Sequence, residues 1–324
     1  MSYRIAACCQ LGEVKNDKFT QFDSCKMGTI TVTSMAKLCG VTKDNLTADI
    51  IQSNFMVLSV KLLAKLEQNL SALRSQVLQH TYNDGTRKMF RISSDLLPLY
   101  THPLLGALYD EQTMDFISKR LHDIGEMIDG VDLRVTSHPS QFTTLCSDKE
   151  HVIDNSIIDL EHHVMIFEKM GLTPADGVVI NIHANGKSFS LPERAKHLFP
   201  WISLENDEKQ AGHGKVLALC EQYGIRYVFD LHHYYCETGE YMPIGHEDVS
   251  RILATWGDQR PVFHLSQSRG SDSKRDLCAH SDIVDDNNLI EYTAQYLKYV
   301  DLDIEAKYKN VAADKFAQDV LKFL

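Results

Sequence analysis

The chain of 324 residues contains no Cys-x-x-Cys pair, although eight cysteines stand at positions 8, 9, 25, 39, 146, 220, 236 and 278. That spacing excludes a zinc ribbon. The chain length argues against the small secreted scaffolds that disulfides staple together, so free, mostly buried thiols are expected. No apolar run reaches the roughly 18 residues that a membrane span needs. Prolines number only 8, and no repeat, low-complexity tract or Pro/Gly-rich linker divides the sequence. A single domain over 1–324 is therefore the economical reading. Neither G-x-S-x-G nor a Walker-A pattern occurs, so neither a serine nucleophile nor a nucleotide cofactor is expected. The opening MSYRIAACCQ lacks the apolar core of a secretion signal and reads as a strand, which points to an intracellular, cytoplasmic protein.

Positive charge is also scarce, with 33 Lys and Arg against 44 Asp and Glu and a net charge of −11. Taken alone this argues against a general nucleic-acid binder. Bound dications would reverse the local sign where a phosphate must sit, so global charge does not settle the partner. Small basic groups do fall on loops that follow strands: Lys187 and Arg194, Arg269, Lys274 and Arg275, and Lys307 and Lys309. Their shared placement suggests a phosphate-facing rim.

What the sequence has is a recurrence. Short apolar runs lead in turn to Asp95, His138, His183, Glu205, Asp230, His264 and Glu305, and an eighth run, YRIAACC, opens the chain. Strand-like runs near 3–9, 88–93, 132–137, 177–182, 200–204, 226–230, 261–265 and 300–305 alternate with helical patterns, as in a parallel α/β sheet. Eight such strands predict a TIM (β/α)8 barrel, whose active site lies at the carboxyl ends of its strands. One His or Glu at a strand end is ordinarily a solvated polar group; seven in succession read as a metal cage. Apolar spacing predicts one amphipathic helix over 46–78, with Thr42 and Asn45 as candidate caps, and another over 155–171 with His162 and His163 on its surface. Residues 10–41, with the alternating TITVTS at 29–34, read as a loop or hairpin inserted after the first strand.

Imidazoles and carboxylates without thiolates suit Mn²⁺ or Zn²⁺. Asp230 and His233 form a D-x-x-H pair that lets one turn deliver two ligands, and Glu205 has two oxygens with which to bridge two ions. Two or three ions about 3.5–4 Å apart are a common apparatus for phosphodiester hydrolysis.

The segments FRISSDLLPLYTHP (90–103), SHPSQF (137–142), NIHANG (181–186), SLENDE (203–208), FDLHH (229–233), FHLSQSR (263–269), CAHSD (278–282) and IEAK (304–307) resemble the ultraviolet-damage endonuclease family. That family is a TIM-barrel relative of endonuclease IV in the xylose-isomerase-like group. The resemblance implies an ATP-independent repair nuclease that cuts damaged double-stranded DNA immediately 5′ to ultraviolet photoproducts, often also at abasic sites, leaving 3′-hydroxyl and 5′-phosphate ends. It implies a manganese site of up to three ions held by His138, His183, Glu205, Asp230, His233, His264, His280 and Glu305, with Glu205, Asp230, His264 and Glu305 as the catalytic core. Gln141 and Phe142 match the pair that the family inserts into the helix. Asp95, Arg269, Lys274 and Lys307 are further DNA-side candidates. A monomer is the simpler expectation for such an enzyme. The chain departs from many members in having Ala6-Ala7-Cys8 for Gly-Tyr-Pro and Val262 for a lysine, which bear on lesion range and third-metal affinity. The competing readings are an apurinic endonuclease of the endonuclease IV type, a metal-dependent sugar isomerase or epimerase, and a protein that binds distorted DNA without cutting.

Overall fold

A computed structural model describes residues 3–81 and 88–324. Its strands in chain order are β1 (Ile5–Cys8), β2 (Gly12–Lys15), β3 (Lys18–Gln21), β4 (Met89–Ile92), β5 (Arg134–Ser137), β6 (Val179–His183), β7 (Ile202–Glu205), β8 (Arg226–Asp230), β9 (Val262–Leu265) and β10 (Asp301–Ile304). All but β2 and β3 run parallel and close into an eight-stranded barrel, in chain order around the ring, with β1 pairing both β4 and β10. The barrel strands are short and buried on both faces, which is why they appear in sequence as compact apolar runs. The expected barrel is present.

Three local expectations are corrected. The hairpin after β1 is formed by β2 and β3, not by TITVTS. Its two turn residues, Asn16 and Asp17, both have positive φ, the backbone that a two-residue hairpin loop with the right twist requires. Thr31, inside TITVTS, instead caps the helix Val32–Leu38 by accepting from Ser34 N. The predicted helix over 46–78 is two helices, Ala48–Ser53 and Phe55–Thr81. At the break the Asn54 side-chain amide joins its own backbone N–H on the Ile50 carbonyl, closing the end of the first helix. Thr47, rather than Thr42 or Asn45, caps the first of them. Finally, His162 and His163 are buried, not on the helix surface. The helix Glu150–Lys169 turns Ile153, Ser156, Leu160, His163 and Phe167 inward, and His162 stacks on Tyr100 with ring centroids 4.6 Å apart. The eight cysteines are free, five of them buried.

Within the barrel, Ala6, Met89, Val179, Val228 and Val262 form an apolar layer with Trp256. The guanidiniums of Arg134 and Arg226 lie over the Trp256 ring, at 5.5 and 5.7 Å from its centroid, and its indole donates to Tyr227 O. Both arginines begin strands, so they occupy the pole opposite the carboxyl ends. There Asp301 receives Arg134, Arg260 and the Arg4 backbone N–H, each at 2.9 Å. Arg226 donates to the carbonyls of Val178 and Pro200. This lower pole is a plug.

Candidate active site and metal centre

Strand register brings the ligand-type side chains to one level. His183 is paired with Glu205 across β6 and β7, and Asp230 with His264 across β8 and β9. His138 and Glu305 lie one residue beyond the ends of β5 and β10. Asp230 also caps the helix Leu231–Thr238 by accepting from His233 N at 2.7 Å, so the strand's last residue sets the first turn that carries His233. The D-x-x-H spacing thus brings both side chains to one turn.

Three donor groups result, each with its ligand atoms within 4.8 Å of one another: His138, His183 and Glu205; Glu205, Asp230 and His233; Asp230, His264 and Glu305. They overlap at Glu205 and Asp230, so seven of the eight expected ligands form one continuous set. His280, the eighth, sits at its edge with Nδ1 4.0 Å from Glu305. A cavity of about 320 Å³ opens over this set, bounded by Gln141, His183, Asn185, Glu208, His233, His280 and Glu305.

The surrounding hydrogen bonds prepare these groups to hold cations. His138 is oriented from both ring nitrogens, with Nδ1 2.9 Å from Pro139 O and Nε2 3.1 Å from Glu205 Oε2. His233 Nδ1 is 2.7 Å from Glu208 Oε2, and its Nε2 faces Asp230. Burial works against the His233 charge, but Asp230 and the bond to Glu208 lift its pKa to about 10. The same bond pulls Glu208 down to about 2. Burial alone would raise Glu205, yet His264 and His183 hold it well below the ordinary carboxylate range. Asn181 Nδ2 donates to Glu205 Oε2, and Ser203 in turn donates to Asn181 at 2.7 Å. Two buried atoms, Asp230 Oδ2 and His183 Nδ1, have no hydrogen-bond partner. A buried carboxylate oxygen left bare amid further carboxylates is costly unless a cation completes it. The donor set of imidazole and carboxylate fits divalent metal ions.

Arg91 was not among the sequence candidates, since it does not end an apolar run. Asp95, read as the second strand's terminus, lies three residues past β4 and is exposed. Arg91, inside β4, points into the mouth. It bonds Glu305 at 2.5 Å and Asp303 at 2.9 Å and reaches His264 Nε2 at 3.1 Å. The other ring nitrogen, Nδ1, faces Glu205 Oε1 at 3.1 Å. The Cys8 thiol, kept protonated by burial, donates to Asp303 at 3.1 Å; it is closer to the site than simple packing would place it. A charged residue within an otherwise apolar strand was the available signal for Arg91 and Asp303. Gln141 and Phe142 are exposed on the loop after β5. Arg269 pairs with Asp276 and Lys307 with Asp282 at the surface, while Lys274 is exposed at the start of a short helix.

The sequence profile of the family described as UV-endonuclease UvdE matches residues 29–323. The chain belongs to that family. The UV DNA damage endonuclease of Bacillus anthracis (strain A0248) is 28% identical over 316 residues, covering 90% of this chain and 88% of its own. The UV DNA damage endonuclease of Bacillus cereus (strain G9842) is 31% identical over 286 residues, covering 78% and 84%. Among solved structures, SacUVDE superposes with a TM-score of 0.72 at 22% identity over 99% of this chain and 98% of its own. Endonuclease IV from Thermus thermophilus gives 0.50 at 13% identity, covering 78% and 95%. These last two likenesses concern the fold. Among the described residues of this UvdE-family chain, no helix is long and apolar enough to cross a membrane.

Proposed function

We propose that the chain is a metal-dependent endonuclease that incises ultraviolet-damaged double-stranded DNA immediately 5′ to the photoproduct, leaving 3′-hydroxyl and 5′-phosphate ends. Family membership supports the substrate and the reaction class. The observation that carries the metal dependence is the continuous donor set with the bare Asp230 oxygen on a residue that two of its groups share. Manganese is the proposed ion, two or three per chain, with zinc the second choice on the same donors. Bound dications would supply Lewis-acid activation of water and neutralise charge at the phosphate.

The residues have separable tasks. Glu205 would join the first two donor groups, held in orientation by Asn181 and Ser203. Asp230 would join the second and third while fixing the turn that carries His233. Arg91 keeps a permanent positive charge beside Glu305 and Asp303, which limits repulsion among the carboxylates when a phosphate approaches. His280 closes the outer edge. Phe142 can fill a gap in a weakened base stack and Gln141 can pair with orphaned base edges, since damage makes a step cheap to unstack. Arg269 and Lys307 would exchange surface carboxylates for phosphates at little cost, because such exposed pairs contribute about 1 kcal/mol or less. Lys274 and Asp95 complete the proposed DNA side. The chain is read as a single-domain monomer that uses no nucleotide cofactor.

The test is nicking of irradiated and untreated supercoiled plasmid in Mn²⁺, with and without chelator. Nicking confined to the irradiated, metal-containing sample is expected. Cutting of an abasic duplex with none of irradiated DNA would move the chain to the apurinic reading, and activity undiminished by chelator would end the metal mechanism.

A further inference from the structure

Among the described large hydrophobic side chains, the exposed aromatics are Phe142, Phe189 and Tyr299. Tyr299 lies just before β10 at the lower pole. The two phenylalanines, 78% and 69% exposed, stand on the loops that follow β5 and β6, and those loops also supply Gln141 and Asn185 to the wall of the cavity.

Those two loops are joined. Thr144 Oγ1 donates to Asn185 O at 2.5 Å, and Ser188 N to Cys146 O at 3.0 Å. Gly186 has φ +127°, and a Cβ there would lie 2.1 Å from Cys146 O, so the chains approach as closely as glycine allows. Lys215 ties the second loop from below, donating to Ala184 O at 3.1 Å and Gly186 O at 2.7 Å. The same ammonium sits 5.0 Å from the centroid of the Phe189 ring. One face of Phe189 therefore rests on a tethered cation, while the side chain remains largely open to solvent. Lys187, two residues earlier, is exposed and has no ion-pair partner among the described residues. A flat apolar ring and a free ammonium, fixed on the same unit as Phe142, present what a nucleotide offers partners for: a base face and a phosphate.

We propose that Phe189 and Lys187 form a second DNA contact, in which the ring stacks on a nucleotide flanking the lesion and Lys187 meets a backbone phosphate. The inference rests on the endonuclease reading. It places a stacking platform beside the wedge, so that the β5–β6 loop pair grips the duplex at two points.

The experiment uses the full chain in Mn²⁺ and a duplex carrying one cyclobutane pyrimidine dimer, with Phe142→Ala as the reference variant. Phe189→Ala should raise KM about tenfold, the scale of one lost base stack, with kcat, metal content and melting temperature unchanged. Phe189→Trp should restore KM, and its added fluorescence should be quenched by the duplex. Lys187→Ala should lower the slope of log affinity against log salt by about one. If Phe142→Ala weakens binding while Phe189→Ala matches wild type and the fluorescence of Phe189→Trp is not quenched, the second contact is wrong and the endonuclease reading stands. If the wild-type protein leaves the damaged duplex uncut, the endonuclease reading fails and the second contact falls with it.

Discussion

At the lower pole, Asp301 receives Arg4, Arg134 and Arg260, and carbonyl oxygens take up guanidinium donors of Arg226. Arg134 Nη2 has no hydrogen-bond acceptor, but its guanidinium lies over the Trp256 ring. At the mouth, Glu205, Asp230, Asp303 and Glu305 face one guanidinium, that of Arg91, and a ring of imidazoles. Both ends bury charge within the same barrel. The first pairs its buried carboxylate with three arginine residues, and the second leaves Asp230 Oδ2 bare. A pole that pairs its own charges can serve stability. One that stops short can bind what it lacks, and so the difference between the poles separates scaffold from site.

The largest effect should come from breaking the mouth. Glu205→Gln or His264→Ala is expected to lower incision by about three orders of magnitude, the scale of one lost catalytic group, and to release metal, while circular dichroism stays that of wild type. Retention of both metal and nicking would remove Glu205 from the centre of the set. Asp301→Asn should show the converse at the lower pole. Removing one partner from a buried charge network costs about 3–5 kcal/mol, so denaturant midpoints should fall sharply while metal per folded chain is preserved. Equal stability in that variant would mean the arginines need no aspartate. A metal titration should then sharpen the contrast: saturating Mn²⁺ stabilises by RT ln(1 + [L]/Kd), about 2.7 kcal/mol at roughly 100-fold excess over Kd. This gain should persist in Asp301→Asn and vanish in Glu205→Gln. Phe142→Ala should weaken binding of damaged duplex by about 1–3 kcal/mol without altering metal content, and unchanged binding would refute the wedge.

Near neutral pH the smallest effect concerns His162, which belongs to neither pole. Burial lowers its pKa to about 3, so the folded protein holds it neutral. The unfolded chain takes up a proton below its ordinary value of 6.5. Its contribution to stability is thus intact above that pH and declines as pH falls toward 3, by roughly 1.4 kcal/mol per unit per proton. His162→Phe should flatten the acid limb of a melting curve measured against pH; an unchanged limb would assign it to other groups.

The barrel and most of its mouth were legible because strand ends are where both topology and chemistry repeat. His138, His183, Glu205, Asp230 and Glu305 each follow an apolar run, and register does the rest. Arg91, Asp303 and Asn181 were harder, since each lies inside a run and acquires meaning only when inward-facing positions of neighbouring strands are aligned. Glu208 acts through His233 across a loop, a contact that no spacing encodes. The break at Asn54 involves a side chain that closes on a backbone carbonyl, which apolar spacing does not report. His162 and His163 were misplaced because helical spacing alone does not say which face meets the barrel.

Trp256 carries one further consequence. With its ring under two guanidiniums and packed in a buried apolar layer, Trp256 fills the barrel axis from below, and a bound ion would have only the mouth by which to enter and leave. If DNA covers that mouth, exchange stops for as long as the complex lasts. Substrate would then shield the enzyme from chelators, and the residence time of the ions would be set by how long the duplex stays.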